Sequence, residues 1–377
     1  MLTYTLMNLI KSPVRSLQLF ASCFMVFILV LLASSFQNSM TKSLSTSGDN
    51  KNVILLGTGS EESLERSEVH KTAIAAAQTI PGLKKTFDRK AVSPEIHYNT
   101  LLKIGDLESE ALIRGIRQTA LDVYPALQIL DGHFPNSGQI MVGRLAWKRL
   151  GLKAEDLKIG QQITFEKQQF TISGIFAAPG SLMESELWMN LNDMIALTQR
   201  DSISSITVRL EDAEFDDVDL FAKQRLDLQV SAISEKDYYA KVGSFYEPIK
   251  LMAWLTALLI ASGALFGGLN TFYAAIESRS KELATLQAIG FQRMILIFSL
   301  YTESLLIHLA AFVAALSASM YFFPLVSINF GSTFFSLNIN HIQILLGLPM
   351  VFLLAFFVII IPGWHCLHPP LNKTLND

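Results

Sequence analysis

Residues 263–306 read GALFGGLNTFYAAIESRSKELATLQAIGFQRMILIFSLYTESLL, and this stretch decides the fold. Two apolar runs flank a polar centre, residues 274–293, whose charged groups are Glu277, Arg279, Lys281, Glu282 and Arg293. A helix of about 20 apolar residues crosses a bilayer core of about 30 Å. The stretch therefore predicts two membrane-spanning helices joined by a short polar segment.

Composition extends this prediction to the whole chain. Of its 377 residues, 50% are apolar and 17% charged, and the mean hydropathy is +0.36. An average soluble protein has about 25% charged residues. Four transmembrane helices are predicted, at residues 17–40, 247–274, 294–323 and 342–362, with Pro362 and Gly363 closing the last. The alternative that the first is a cleaved signal peptide is disfavoured, because its apolar run exceeds the 7–15 residues, roughly, of such a segment.

The distribution of Lys and Arg predicts the orientation. Lys11 and Arg15 precede the first span, Arg279, Lys281 and Arg293 lie between the second and third, and Lys373 follows the fourth. Positive charge in short flanks marks the cytoplasmic side. We therefore expect both termini (1–16 and 363–377) and residues 275–293 in the cytoplasm, and residues 41–246 and 324–341 outside it.

The segment 41–246 holds 23 of the 30 Lys and Arg residues and 28 of the 33 Asp and Glu residues. Strand-like patterns in KNVILLG, ALIRGI, QQITFEKQQFTISGIF and SSITVRL, and a helix expected from Glu61 to Thr79, predict an α+β domain inserted between the first two spans. His133 is interpreted as a turn residue and the acidic run 211–219 as a solvated loop or helix start. No catalytic residue, metal site or cofactor is predicted, and no basic stripe indicates nucleic acid.

Residues 275–293 predict a short amphipathic helix on the cytoplasmic side. Ile276, Leu283, Leu286 and Ile289 are expected near one face and the charged residues near the other, with Gly290 ending the helix. Composition alone favours a helix that rests on the lipid surface.

Residues 263–306 resemble the core of the FtsX/MacB-type ABC permeases, whose pattern is R-x-x-E-[IL]-x-x-L-[RQ]-A-[IL]-G. The matching positions are Arg279, Glu282, Leu283, Leu286, Gln287, Ala288, Ile289 and Gly290, with Lys281 also suited to the pattern. Many members have Arg at the position of Gln287. The outer segment is similar in layout to the MacB-like periplasmic core, whereas the tail WHCLHPPLNKTL departs from the family.

The resemblance implies a permease subunit in the bacterial inner membrane that transmits the motion of a separate cytosolic ABC ATPase to the periplasmic domain, for export, efflux or lipoprotein release. Residues 275–293, including Glu277, would contact the ATPase. The chain has no G-x-x-x-x-G-K-[ST] motif, so ATP hydrolysis is expected in the partner. A second permease copy or similar subunit and a periplasmic adaptor are the further implied partners. The alternative function is a signalling scaffold that controls an extracytoplasmic cell-wall hydrolase.

Two features inside the predicted spans stay open at this point. Gly263 and Gly267 allow close helix packing, either between two chains or within one. Glu303 lies inside the third span, where a carboxylate faces the bundle or water. Its expected role is structural, as a partner for a hydroxyl or backbone group, and the alternative is a proton or substrate site.

Overall fold

The computed structural model describes residues 13–104, 107–330 and 333–367. Lys11, Lys373 and most of the expected cytoplasmic tail lie outside the described residues. The chain divides into two units. We call Ser39–Glu247 with Ser327–Phe335 the sheet unit, and the other described residues the helical unit.

The described residues form eleven α-helices, four of them long and apolar enough to cross a membrane. In chain order they are α1 (Pro13–Ser47), α2 (Thr72–Ala77), α3 (Ala120–Val123), α4 (Ala146–Arg149), α5 (Leu191–Thr198), α6 (Phe215–Gln224), α7 (Glu235–Phe245), α8 (Glu247–Glu277), α9 (Ser280–Ala288), α10 (Arg293–Phe322) and α11 (His341–Leu367). The membrane-spanning helices are α1, α8, α10 and α11. The prediction of four transmembrane helices around an inserted α+β domain is confirmed.

The helical unit packs its spans through small and aromatic side chains. Gly347 of α11 lies against Phe312 of α10, and a Cβ at this glycine would collide with the phenylalanine ring. Glycine is therefore required for the close approach of these two helices. The Ser35 hydroxyl donates to the Asn338 carbonyl oxygen at 2.8 Å and links α1 to the residues just before α11.

The helix α11 continues through Pro349 and Pro362 to Leu367. Its apolar, membrane-spanning part is His341–Ile360, which ends before Pro362, where the sequence predicts the end of the span. A proline removes one helical hydrogen bond without ending this helix.

The sheet unit is built on one mixed sheet. The described strands are β1 (Asn52–Gly57), β2 (Val69–His70), β3 (Lys85–Thr86), β4 (Arg89–Lys90), β5 (Val92–Ile104), β6 (Leu107–Ile116), β7 (Gln128–Gly132), β8 (Gln139–Gly143), β9 (Gln162–Phe165), β10 (Gln168–Ala177), β11 (Leu187–Asn190), β12 (Ser202–Ile203), β13 (Ser205–Arg209), β14 (Val230–Ser234), β15 (Ser327–Phe330) and β16 (Thr333–Ser336). The large sheet has the order β14-β1-β13-β5-β6-β11-β8-β10-β7, with β9 beside β10 and β5. Only β10/β8 and β11/β6 pair in parallel, and the other pairs are antiparallel.

The expected helix from Glu61 to Thr79 is mostly wrong, since only Thr72–Ala77 is helical and residues 61–68 form turns. Propensity favoured a helix, but Ser67 is buried and its hydroxyl accepts from the Gly57 N–H at 2.9 Å. This contact holds the segment beside β1. Tertiary contacts have overridden a weak local preference.

The segment between the third and fourth spans, expected to be a loop, contains the strands β15 and β16, which pair with each other. Residues 327–335 belong to the sheet unit. Phe335 is fully buried, and its ring lies 6.4 Å from that of Tyr246. The last part of the sheet unit therefore comes from sequence that follows the third span.

A buried ionic cluster lies on the sheet. Arg114 of β6 donates to Glu186 through Nε at 2.8 Å and Nη2 at 2.7 Å, and to Glu95 through Nη1 at 2.9 Å. The Tyr124 hydroxyl donates to Glu95 at 2.9 Å. Burial alone would raise the pKa of Glu95, but Arg114, His97 and Tyr124 lower that pKa to about 2. The carboxylates of this cluster are therefore ionised at neutral pH.

Glu235 begins α7 and is buried, and no cation of the described residues hydrogen-bonds to it. Its carboxylate accepts from the Asp49 N–H and the Asn52 side-chain amide, each at 3.0 Å. Burial nevertheless raises the pKa of Glu235 to about 8. The folded protein therefore holds a proton here that the unfolded chain releases near its ordinary carboxyl pKa.

We expect the sheet unit to become less stable as pH rises, because the unfolded chain releases this proton at a lower pH than the folded protein does. Between the ordinary carboxyl pKa and about 8, the folded state binds more protons, so the free energy of unfolding should fall by about 1.4 kcal/mol per pH unit and then level off. Urea titrations at several pH values should show this slope, and Glu235→Gln should remove it. Exposed Glu108→Gln is the control, and an unchanged slope in Glu235→Gln would contradict the assignment.

Candidate functional site

The polar segment between the second and third spans folds as a separate short helix. α8 ends at Glu277, the chain turns at Ser278 and Arg279, and α9 covers Ser280–Ala288. The helix is thus shorter than the predicted segment 275–293. Ser278 N–H donates to the Ala274 carbonyl oxygen and Arg279 N–H to that of Ile276, so the turn is itself hydrogen-bonded.

Gly290 ends α9 with a Schellman motif. Its φ is +109°, a conformation that side chains with a Cβ rarely adopt. The Gly290 N–H donates to the Gln287 carbonyl oxygen at 3.0 Å, and the Phe291 N–H donates to that of Leu286 at 3.1 Å. These two bonds satisfy carbonyl groups that a helix end leaves open. The prediction that Gly290 stops the helix is confirmed.

The buried side of α9 differs from the prediction. Leu283 and Ala284 are buried, and Leu283 packs in a cluster with Ile276, Phe272 and Leu296. Leu286 is half-buried against that cluster. Ile289, expected on the same face, is 72% exposed. At about 3.6 residues per turn, Ile289 lies roughly 120° around the helix axis from Leu283, which takes it off the buried face.

The exposed side of α9 carries both charge signs and an apolar end. The exposed charged side chains are Lys281 and Glu282 of α9 and Glu277 at the end of α8, and Gln287 is half-buried. Ile289 and Phe291, the latter 40% exposed, add apolar surface beside Gly290. Exposed apolar groups bordered by polar ones are typical of surfaces that bind another protein.

Arg279 joins the start of α9 to the third span. Its Nη1 lies 3.3 Å from Glu303 Oε2 of α10, and its Nε lies 3.7 Å from Glu282 Oε2. The side chains of Arg279 and Glu303 are 19% and 14% exposed. The sequence singled out both residues but not their pairing, and the hydroxyl or backbone partner expected for Glu303 is replaced here by a guanidinium group.

Gly263 and Gly267 of α8 face open space within their own chain. A Cβ added at either glycine would meet no atom within 4 Å. Of the four spans, α8 is also the least buried inside the chain. The described residues therefore give no support to the alternative that these glycines serve packing within one chain.

The two candidate features of the sheet unit have structural roles. His133 is exposed, and its Nδ1 lies 2.9 Å from the Phe134 carbonyl oxygen, beside Gly132 with its φ of +78°. The acidic run contains the start of α6, where Glu214 and Asp217 form a reciprocal capping box. No cluster of three metal-ligating side chains occurs among the described residues.

Two family models match consecutive parts of the chain. The MacB-like periplasmic core domain matches residues 20–222, and the FtsX-like permease C-terminal domain matches residues 254–371. Together with four spans around an inserted domain, these matches define an ABC-transporter permease of the inner membrane. The chain belongs to the FtsX/MacB-type permease family. In this family the ATPase is a separate subunit.

Two solved structures are similar to parts of the chain. The periplasmic region of MacB from Actinobacillus actinomycetemcomitans is 16% identical, covers 54% of this chain and 97% of its own, and has a TM-score of 0.40. The extracellular domain of the noncanonic ABC-type transporter YknZ from Gram-positive bacteria is 14% identical, covers 48% of this chain and 99% of its own, and has a TM-score of 0.38. No curated protein sequence matches significantly.

Proposed function

We propose that this permease transmits the motion of a cytosolic ABC ATPase to its sheet unit, and that α9 is the surface on which the ATPase docks. The observation that carries the proposal is the attachment of α9 to the spans. Arg279 pairs with Glu303 of α10, and Leu283 packs against residues of α8 and α10. The Schellman motif at Gly290 gives the helix a defined end. A helix attached in this way moves with the spans, whereas a flexible loop would absorb the motion.

Burial supports the same proposal. Leu283 and Ala284 hold the inner side of α9 in the helical unit, while Lys281, Glu282 and Ile289 remain accessible to a partner. A force applied to the exposed side would therefore reach α10 through packed side chains and the Arg279–Glu303 pair. Interfaces combine apolar anchors with a charged rim, and this surface has both.

The proposed orientation places α9 and both termini in the cytoplasm and the sheet unit outside it. Arg279, Lys281 and Arg293 flank the second and third spans on the same side, as the positive-inside rule requires. We further propose that the open face of α8 at Gly263 and Gly267 receives a second permease copy or a similar subunit. Export, efflux or lipoprotein release with a periplasmic adaptor is the expected activity, and no family match favours the signalling-scaffold alternative.

Copurification tests the docking surface. The tagged chain is isolated in mild detergent, and the associated ATPase is identified and assayed. Glu282→Lys with Ile289→Asp should lower recovery of the ATPase at least about tenfold, because central contacts of an interface contribute about 2 kcal/mol or more each.

The control makes the same two changes on the sheet unit, at exposed Glu155 and at Leu226, which is 80% exposed. Glu155→Lys with Leu226→Asp should leave recovery of the ATPase unchanged. Equal recovery of the ATPase with the α9 variant and with the parent chain would contradict the proposal that the ATPase docks on α9.

A further inference from the structure

The sheet unit contains a cavity of about 750 Å³ to which neither family match assigns a ligand. It lies between residues 61–66 on one side and α7 on the other, and side chains of β5 and β6 contribute to its floor. Small-molecule sites commonly have volumes of about 300–1,000 Å³. The cavity is therefore large enough for a small ligand.

Arg114 lies at the floor of the cavity, and two carboxylates neutralise the positive charge of its guanidinium group. Glu186 takes two of its hydrogen bonds and Glu95 a third, at 2.7–2.9 Å. The guanidinium group also lies over the rings of Tyr124 and Trp188, at 5.8 and 5.5 Å. An incoming anion would find these donors occupied, and the two carboxylates outnumber the single guanidinium group.

The mouth of the cavity is also rich in carboxylates. The Glu61 carboxylate accepts from its own backbone N–H and from the Ser231 hydroxyl, the latter at 2.9 Å, and these hydrogen bonds lower its pKa. Glu62 and Glu65 make no hydrogen bond or ion pair within the described part of the chain. Arg66 and Lys241 are the cations of this mouth. The whole lining holds four carboxylates, those of Glu61, Glu62, Glu65 and Glu186, against the cations of Arg66, Arg114 and Lys241, with His97 as a further titratable group. The excess of carboxylates over Arg and Lys favours a positively charged ligand.

Aromatic side chains border the carboxylates. The rings of Tyr238 and Tyr239 pack edge to face at 5.3 Å and are nearly buried. Phe245 is 75% exposed and lines the same cavity. An aromatic face attracts a cation within about 6 Å, and an exposed phenylalanine offers contact to an apolar group. The cavity thus combines carboxylates, which attract a cation, with aromatic side chains, which contact an apolar group.

We propose that this cavity binds a small cationic ligand that carries an aromatic or aliphatic group. Glu62 and Glu65 attract the cation, Tyr239 and Phe245 contact the apolar group, and the Arg114 cluster holds the floor in place. The site lies wholly within the sheet unit. Its ligand binding needs no ATPase, so its test is independent of the proposed docking role of α9.

Matched tripeptides provide the test. The full chain is placed in nanodiscs of zwitterionic lipid, and calorimetric titrations compare Lys-Trp-Lys amide, Gln-Trp-Gln amide and Glu-Trp-Glu amide, with empty nanodiscs subtracted. The lysine peptide should bind at least about tenfold more tightly than the glutamate peptide, because two unpaired carboxylates lie at the mouth. Glu62→Gln with Glu65→Gln should reduce its affinity at least about fivefold.

Glu108→Gln with Glu155→Gln is the matched control, because both residues are exposed and lie outside the cavity. It should leave affinity unchanged, while Phe245→Ala should weaken binding of the lysine peptide. Three results would overturn the proposal: equal affinity for all three peptides, no binding of the lysine peptide at millimolar concentration, or an unchanged affinity in the Glu62 and Glu65 variant. Thermal unfolding verifies that each variant is folded.

Discussion

Arg114→Leu is expected to destabilise the sheet unit more than any other single change of a charged residue described above. Arg114 is 3% exposed, and the side chains of Glu95 and Glu186 are 1% and 3% exposed. Removing the guanidinium group leaves two buried carboxylates without their cation, which costs about 3–5 kcal/mol. A domain of ordinary stability has only about 5–15 kcal/mol to lose.

Urea titration of the full chain in nanodiscs, followed by tryptophan fluorescence, measures this cost. Arg114→Lys should be intermediate, because an ammonium group keeps the charge but cannot form the paired hydrogen bonds to Glu186. Arg225→Leu is the control, since Arg225 pairs with Asp227 at the surface, where the side chains are 42% and 61% exposed. It should shift the midpoint little. A similar midpoint for Arg114→Leu and Arg225→Leu would exclude a structural role for the cluster.

Breaking the Arg279–Glu303 pair is expected to impair coupling strongly while leaving the chain folded. Glu303→Ala removes one carboxylate partner of Arg279, and Arg279→Ala removes the cation itself. If the pair transmits motion as one unit, the double variant should be little worse than either single variant. The coupling energy between the two sites should be about 1–2 kcal/mol.

The measurement is substrate-dependent or partner-dependent ATPase activity of the reconstituted complex, with the thermal stability of each variant recorded separately. Thr302→Ala is the control, because Thr302 neighbours Glu303 but, within the part of the chain that the structure describes, its hydroxyl donates to the Ser299 carbonyl oxygen of its own helix. Additive losses in the double variant, or the same loss in Thr302→Ala, would contradict a shared role for the pair.

The sequence was sufficient for the parts of the fold that depend on local pattern. Hydropathy locates the four spans, and Gly290 predicts the end of α9, because glycine at that position satisfies a general requirement of helix ends. The strands in SSITVRL and QQITFEKQQFTISGIF follow from the alternation of apolar and polar residues. Each of these features is decided by neighbours within one helix or one hairpin.

The Arg114 cluster could not be predicted in the same way. Arg114 lies 19 residues from Glu95 and 72 from Glu186, and the strand register brings them together. β5 places His97 opposite Arg114, and β11 places Trp188 opposite it. A shift of one residue in either pairing would turn the side chains to the other face of the sheet. Sequence pattern alone does not specify that register.

The Arg279–Glu303 pair is an intermediate case. The sequence identified each residue separately, Arg279 in the polar segment 275–293 and Glu303 in the apolar third span. Their contact depends on the turn at Ser278 and on the path of α9 back toward α10. Because the two residues are 24 positions apart in the sequence, no local pattern predicts this contact. The exposure of Ile289 follows from its position, roughly 120° around the axis of α9 from the buried Leu283.

The strands β15 and β16 have a consequence for biogenesis. The ribosome synthesises residues 39–247 well before residues 327–335, yet both belong to the sheet unit and Phe335 is fully buried. The nascent sheet unit therefore lacks its last residues until the third span has been synthesised. We expect a chain truncated after the second span to carry an incomplete sheet unit.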